Sequence, residues 1–387
     1  MDMFGRTQGN YPAPPDRQQA ERTCATEQCL QALYRVSASR TQTMYRGVHR
    51  WASSGAGGLF STRYMPSHRK NAVKAFDPQQ DIPDLSGKVV VVTGGNSGLG
   101  AATISLLAPH HPSTIYLCAL PVSVSNAEDL VSSVKHSYPD VNVEVIPLDL
   151  SSFDSIKKCA THINQKSDRL DILFLNAGIA GAPFSLTREG YEIHFGVNYV
   201  GHALLAQLLM PKLLQTANEN QGNDVRIVMT TSKAAHLHHP SAGLVLDQMK
   251  TAYPRISLAR RYSHSKLAVV LFARKLAQIY SSVISVSIHP GIVKTGIHRR
   301  YLSVNKLARY CFTKPLFWLF GISAEKGARN GLWAATSEDV RNGAYYEPVG
   351  KLRDRYKYFT DQKLTDELWE WTNKELAGHG APGWPAP

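Results

Sequence analysis

The spacing of apolar residues changes near residue 83. Residues 1–80 show no sustained apolar period and are rich in Ser, Thr, Gly, Arg and Pro. Such a segment buries too little apolar surface to offset its conformational entropy. We therefore predict a disordered basic tail over 1–80 and a single folded domain over 81–387.

Downstream of that boundary, short apolar or β-branched runs alternate with segments of helical period. The predicted strands cover 88–93, 114–119, 143–148, 171–175, 226–231 and 284–288. Helices are predicted after the glycine-rich turn that follows the first strand, and over 127–136, 153–164, about 191–214 and about 262–280. Strands that alternate with helices predict an α/β fold, a doubly wound parallel sheet covered on both faces.

The composition excludes several classes of protein. Apolar residues make up 43% and charged residues 19% of the 387 positions, which excludes a chain disordered throughout and a coiled coil. No run of eighteen apolar residues occurs, so no membrane-spanning helix is predicted. The five cysteines are odd in number and widely spaced, which favours a reducing, cytoplasmic compartment over a secreted disulfide scaffold.

The net charge of +13 is concentrated in the tail. Residues 28–76 hold eight Lys or Arg and no acid, so most of the excess lies outside the folded domain, and we predict no nucleic-acid partner. We interpret the tail as a dispensable extension. The alternatives are a mitochondrial targeting segment, which matches better if translation begins at Met44, and an arm that binds polyanions or a membrane surface.

A glycine-rich turn follows the first predicted strand and opens a helix. It reads Thr93-Gly94-Gly95-Asn96-Ser97-Gly98-Leu99-Gly100. At this position of a doubly wound sheet, the helix N-terminus presents free N–H groups and a partial positive charge to a pyrophosphate, and glycines let the backbone approach it. The context favours a dinucleotide site over a merely flexible loop.

Tyr262 and Lys266 form the second candidate site. They lie one turn apart at the start of a predicted helix, whereas a second Tyr-x-x-x-Lys match, Tyr310 and Lys314, is followed directly by Pro315, which disfavours a helix. A tyrosine hydroxyl, with an ordinary pKa of about 10, transfers protons at neutral pH only if its phenolate is stabilised. A fixed ammonium one turn away, together with a cationic nicotinamide, would stabilise it. A surface helical pair is the structural alternative.

Taken in order, these motifs resemble the short-chain dehydrogenase/reductase family, specifically its retinol-dehydrogenase-like branch and fungal relatives. The resemblance covers about 84–376. It implies a Rossmann-type doubly wound parallel sheet and an oxidoreductase of the carbonyl reductase kind, which moves a hydride between NAD(P) and a carbonyl/alcohol pair. It also implies a cofactor site made of the glycine turn (Thr93, Gly94, Asn96, Ser97, Gly98, Leu99 and Gly100), Asp149 at the adenine, the turn Asn176-Ala177-Gly178 at the adenine ribose, and Pro290, Gly291, Val293 and Thr295 at the carboxamide.

The same resemblance implies a catalytic tetrad. Tyr262 would be the general acid/base, and Lys266 would lower its pKa and bind the nicotinamide ribose. Ser232 would orient the substrate oxygen, and Asn198 would hold a water of the proton relay.

One departure from the family pattern concerns the cofactor. NAD-dependent members commonly end the second strand with an acid, and NADP-dependent members of this branch place an Arg just after it, but Ala119-Leu120 offers neither. Without a carboxylate to repel a 2′-phosphate, we expect NADP(H) to be favoured and NAD(H) to be usable. Asn96 and Ser97 could supply hydrogen bonds.

The irregular stretches 233–259 and 296–323 should form the substrate side. Apolar residues after the carboxamide loop predict either a lid or a core helix; a lid would favour a bulky apolar ketone, aldehyde or alcohol, and the same patch could contact a membrane: Phe312, Leu316, Phe317, Trp318, Leu319 and Phe320. We interpret His236, His238 and His239 as loop residues and predict no metal site, because no Cys or carboxylate shares their spacing.

Two other functions fit the same fold. A catalytically silent dinucleotide-binding regulator is disfavoured by the intact tetrad, and a nucleotide-sugar epimerase or dehydratase is disfavoured by the spacing of Gly98 and Gly100. The oligomeric state is not predicted.

Overall fold

The computed structural model describes residues 75–219, 224–237, 243–251, 256–294 and 321–387. The predicted tail lies outside these residues as far as position 74. Three further sets of predicted residues lie outside them as well: Thr295, the apolar residues from Phe312 to Phe320, and the pair His238 and His239.

The strands of the described residues form one eight-stranded sheet. Their order is β3-β2-β1-β4-β5-β6-β7-β8, and all neighbours are parallel except β7 and β8. This is the mostly parallel, Rossmann-like arrangement predicted from the alternating elements. The strands are β1 (Val89–Thr93), β2 (Thr114–Ala119), β3 (Asn142–Pro147), β4 (Ile172–Leu175), β5 (Val225–Thr230), β6 (Val283–Ile288), β7 (Tyr345–Glu347) and β8 (Lys351–Leu352).

Helices cover both faces of the sheet, and the apolar strands β1 and β4 are therefore buried on both sides. One face packs against α4, α5 and α6, with α8 packed on α6, and the other face packs against α2, α3 and α7. The helices are α1 (Pro78–Asp81), α2 (Gly98–Leu107), α3 (Ser125–Ser137), α4 (Phe153–Lys166), α5 (Gly201–Glu219), α6 (Leu258–Ile279), α7 (Ala324–Thr336) and α8 (Gln362–Gly378).

The long helix predicted near 191–214 is irregular at its start. A single turn, Ile193–Phe195, leads into a π-helical turn, Gly196–Val200, before α5 begins at Gly201. Such π turns are concentrated at functional sites because they redirect one side chain without ending the helix. Here the turn contains Asn198.

The segment after residue 323 adds elements that the sequence analysis did not predict. They are α7, the hairpin of β7 and β8, and α8. Helix α8 and the chain after it bring indole rings onto α6, where Trp369 and Trp384 pack against Phe272. None of the helices in the described ranges combines the length and the apolar run needed to cross a bilayer.

Candidate active site

The candidate site lies at the carboxyl edge of the sheet. Thr93 of β1 is level with Cys118 of β2, and Thr230 of β5 is level with Ile288 of β6, so these strands end together. The order of the strands along the chain reverses between β1 and β4, which opens a crevice at this edge where doubly wound sheets bind their ligands. The predicted cofactor and tetrad residues that the structure describes follow strand ends at this edge or lie on the helices beside it.

The glycine turn between β1 and α2 has the shape of a phosphate cradle. Gly94 and Gly98 have φ angles of +66° and +53°, which favour glycine. A Cβ atom at Gly100 would lie 2.9 Å from the Cα of Gly95 and closer still to the carbonyl oxygen of Gly94. The side chain of Ser97 makes no capping hydrogen bond, so the first N–H groups of α2 are available to an anion. These features fit the pyrophosphate of a dinucleotide.

Asn96 and Leu99 hold this turn in place. The Asn96 amide donates to the carbonyl oxygen of Ser123 at 3.4 Å, which joins the turn to the loop after β2. Leu99 is partly buried and packs against the core beneath α2. Both residues therefore shape the cradle from its sides.

Thr93 connects the glycine turn to the Asn176-Ala177-Gly178 turn after β4. Its buried hydroxyl accepts the N–H groups of Asn176 and Ala177, both at 2.9 Å, and lies 3.0 Å from Nε2 of His202. His202 Nδ1 lies 3.1 Å from the carbonyl oxygen of Asn198, which can only accept, so Nδ1 carries the proton and Nε2 accepts from Thr93. Burial lowers the pKa of His202 to about 3, which keeps the ring neutral.

The end of β2 carries no charged side chain at Ala119 or Leu120. Leu120, where an acid or an Arg would discriminate between the cofactors, is 47% exposed. Asp149 follows the adjacent β3 and accepts the backbone N–H of Ser151 at 2.9 Å and its hydroxyl at 2.6 Å. The carboxylate is thus held in a tight local turn beside the end of β2.

Asn198 has its amide group fixed on both sides. Its Oδ1 accepts the N–H of Ile179 at 2.8 Å, and its Nδ2 donates to the carbonyl oxygen of Ile179 at 3.0 Å and to the hydroxyl of Ser265 at 2.9 Å. The Ser265 hydroxyl in turn donates to the carbonyl oxygen of Tyr262 at 2.7 Å. Ser265 was not predicted, although its place in the Tyr262–Lys266 motif was a usable signal.

Lys266 is a buried ammonium, with 4% of the residue exposed. Its Nζ donates to the carbonyl oxygen of Thr230 at 2.9 Å and lies 5.9 Å from the centre of the Tyr262 ring. A Cβ at Gly178 would lie 3.4 Å from Nζ and 3.0 Å from Oδ1 of Asn198. Burial lowers the pKa of Lys266 to about 8, so most of the ammonium persists at pH 7. The Thr230 carbonyl, a backbone group, left no signal in the sequence.

Tyr262 lies beside Ser232. Burial raises the pKa of the Tyr262 phenol, and a hydrogen bond with the Ser232 side chain lowers it in part. Ser232 also caps the short helix that follows β5, since its Oγ accepts the N–H of Ala234 at 3.2 Å. The lowering of the Tyr262 pKa by Lys266 and a bound nicotinamide stays a prediction.

The loop after β6 completes the described edge. Pro290 is buried, and Gly291 has a φ of +91°. Val293 is buried at 3% exposure and forms a parallel bridge with Ile322. The loop is therefore held against the start of the segment that precedes α7.

Of the three histidines interpreted as loop residues, the structure describes only His236. Its ring stacks on Tyr356 with the ring centres 3.8 Å apart. Within the described ranges, no three His, Cys, Asp or Glu side chains are grouped as metal ligands.

Comparisons with known proteins agree with this geometry. A family model described as short chain dehydrogenase matches residues 88–244. The short chain dehydrogenase/reductase dpchH of Colletotrichum higginsianum is 34% identical over 323 residues, or 78% of this chain and 77% of that protein. The chain belongs to the short-chain dehydrogenase/reductase family. Mouse retinol dehydrogenase 12 is 34% identical over 303 residues, or 76% of this chain and 87% of that protein, which supports the retinol-dehydrogenase-like branch.

The fold of this dehydrogenase/reductase agrees as well. A solved structure of an uncharacterized protein from Mycobacterium Paratuberculosis is 26% identical and matches with a TM-score of 0.59 over 79% of this chain and 98% of that one. With its family established, the protein is an NAD(P)-dependent oxidoreductase that acts on CH–OH and C=O groups.

Proposed function

We propose that this dehydrogenase/reductase interconverts a bulky apolar ketone or aldehyde and the corresponding alcohol with NADP(H), through Ser232, Tyr262, Lys266 and Asn198. The observation that carries the proposal is the pairing of a partly exposed phenol, Tyr262, with a buried ammonium, Lys266, on one helix, beside the glycine turns at the carboxyl edge. A buried ammonium that has no carboxylate partner among the residues the structure describes is destabilising, so its presence here calls for a function.

Each polar group has a defined task in this mechanism. When bound, the nicotinamide supplies or accepts the hydride at the substrate carbon. In the reductive direction Tyr262 Oη gives its proton to the carbonyl oxygen, while the Ser232 hydroxyl donates a hydrogen bond to the same oxygen. The Lys266 ammonium stabilises the phenolate that remains, and a proton from solvent restores the phenol along the Lys266 and Asn198 side.

The proposal also gives each residue of the predicted cofactor site a role. The free N–H groups of α2 would bind the pyrophosphate, and Asn176, Ala177 and Gly178 would face the ribose. Lys266 would bind the nicotinamide ribose, and Pro290 to Val293 the carboxamide.

The preference for NADP(H) rests on the uncharged end of β2. With Leu120 in place of an acid, nothing at that position repels a 2′-phosphate. Direct titration with NADPH and NADH tests this proposal, which requires the tighter binding of NADPH; equal or tighter binding of NADH would contradict it.

An apolar substrate is supported by the side chains on segments that leave the site. Four such side chains are large, apolar and 42% to 57% exposed: Phe184, Leu186, Leu237 and Ile292. They lie after the Asn176-Ala177-Gly178 turn, after Ser232, and within the loop after β6. Exposed apolar side chains grouped by segment around a site favour an apolar ligand.

The test is turnover by the full chain and by Tyr262→Phe, with a panel of apolar ketones and aldehydes and with NADPH consumption as the readout. We expect the variant to lose at least about 10³-fold in kcat, because the proton donor is gone, and to keep its affinity for NADPH. Tyr280→Phe is the matched control, since Tyr280 ends the same helix and donates to the carbonyl oxygen of Pro385 at 2.8 Å, remote from the edge.

Two outcomes would contradict the proposal. Turnover of Tyr262→Phe within a few-fold of the wild type would remove the role of the phenol. Binding of NADPH by the wild type without turnover of any carbonyl would instead favour the silent regulator.

A further inference from the structure

A buried carboxylate, Glu192, accepts four hydrogen bonds next to the site. Glu192 is 3% exposed and directly precedes the turn Ile193–Phe195, which leads into Asn198. Its Oε2 accepts the N–H groups of His194 and Phe195 at 3.0 and 2.9 Å. Its Oε1 accepts from Nδ1 of His194 at 2.8 Å and from Nη1 of Arg261 at 3.3 Å. A carboxylate has about four lone-pair positions, so this one is saturated.

Hydrogen bonds at both ring nitrogens fix the orientation and the tautomer of His194. Its Nε2 accepts the N–H of Ala182 at 3.2 Å, and since an amide N–H can only donate, the imidazole proton must lie on Nδ1, facing Glu192. The ring is fully buried and packs edge-on to the Tyr262 ring with the centres 6.4 Å apart. Glu192 therefore determines how the imidazole rests on the phenol.

Residues 179–182, which follow the Asn176-Ala177-Gly178 turn, are hydrogen-bonded at both ends to the irregular turns that precede α5. Ile179 is paired with the amide of Asn198, and Ala182 donates to His194. On the other side, Glu192 binds Arg261, the residue before Tyr262. A single carboxylate thus joins the segments that carry the cofactor turn, Asn198 and the phenol.

We propose that Glu192 is a positioning residue. It acts through His194 to fix the positions of the Tyr262 phenol and of residues 179–182 relative to Asn198. The inference rests on the proposed function, because it assigns Glu192 to the same reaction. The effect of Glu192 is geometric: a displacement of reacting groups by about 1 Å can lower a rate about 100-fold.

Glu192→Gln removes this arrangement with little change in volume. A carboxamide has one oxygen for four donors, and its NH₂ would face the Nδ1–H of His194 and the guanidinium of Arg261. If the imidazole proton moves to Nε2 so that Nδ1 can accept from the amide, the resulting Nε2–H faces the N–H of Ala182. With the proton kept on Nδ1, His194 loses its acceptor at residue 192; with the proton on Nε2, it loses its contact with Ala182.

The experiment compares the full-length wild type with Glu192→Gln, His194→Phe, the double variant and Glu189→Gln. Glu189 is the matched control: it lies in the same loop and accepts the N–H of Phe153 at 2.7 Å, which caps α4. We expect Glu192→Gln to lower kcat about 10- to 100-fold with the Kd of NADPH changed less than about 3-fold. The double variant should lose less than the product of the two single losses.

Hydrogen exchange gives a readout that needs no turnover. Exchange at the amides of 179–182 should accelerate at least about 10-fold in Glu192→Gln and in His194→Phe, and stay at the wild-type rate in Glu189→Gln. Unchanged exchange and unchanged kcat in Glu192→Gln, or multiplicative losses in the double variant, would overturn the inference. If the wild type itself turns over no carbonyl, the proposed function fails, while the exchange rates still decide whether Glu192 fastens the segment.

Discussion

We expect Lys266→Met to abolish turnover and at the same time to make the protein more stable at neutral pH. The substitution keeps an unbranched chain of similar length but removes the ammonium. In the wild type that ammonium is 4% exposed, and the structure gives it the carbonyl oxygen of Thr230 as hydrogen-bond partner.

The magnitude follows from the pKa. Burial lowers the pKa of Lys266 from 10.5 to about 8, which corresponds to about 3 kcal/mol of unfavourable free energy at pH 7. Leaving the Thr230 carbonyl without its donor costs about 1 kcal/mol. The variant should therefore exceed the wild type by about 2 kcal/mol in free energy of unfolding at pH 7.

The dependence on pH has a definite sign. Between pH 8 and 10.5 the unfolded chain keeps a proton on Lys266 that the folded protein has released, so wild-type stability rises with pH in that window. The free energy of unfolding of the wild type should rise by about 2 kcal/mol between pH 7 and pH 9.5. At pH 9.5 Lys266→Met should therefore no longer be more stable than the wild type.

Urea unfolding of both proteins at pH 7 and pH 9.5, without cofactor, measures these differences. Lys363→Met on α8 is the control, because its side chain is 87% exposed and should show no such dependence. A variant less stable than the wild type at pH 7, with a parallel response to pH, would refute the reasoning.

Two further predictions concern the cofactor. Gly100→Ala should lower the affinity for NADPH at least about 100-fold, as measured by fluorescence titration, because its Cβ would force Gly94 and Gly95 out of the turn; retained affinity would show that the turn adapts. Leu120→Asp should weaken NADPH about 10-fold or more and NADH much less, because a carboxylate at the end of β2 repels a 2′-phosphate. Equal effects on both cofactors would place the 2′-position elsewhere.

The strands were predicted well where the chain is apolar on both faces. The strand predicted over 114–119 is β2 without any shift, and the other five differ by one residue at one or both ends. In contrast, β7 and β8 are short and aromatic or polar; β7 forms only because the edge of β6 is there to pair with it, and β8 in turn pairs with β7. Helix α8 depends in the same way on the surface of α6.

The order of the elements, the glycine turn and the spacing of Tyr262 and Lys266 are local properties, since each depends on backbone conformation and on neighbours within one or two helical turns. They determined the fold class and the family, and they predicted the tetrad. The tertiary structure decided which groups complete the site: the Thr230 carbonyl on Lys266, Ile179 on Asn198, and Glu192 with His194 beside Tyr262. A backbone carbonyl carries no residue signature, and a buried carboxylate reveals its partners only when distant segments meet, so these contacts follow from packing at the sheet edge.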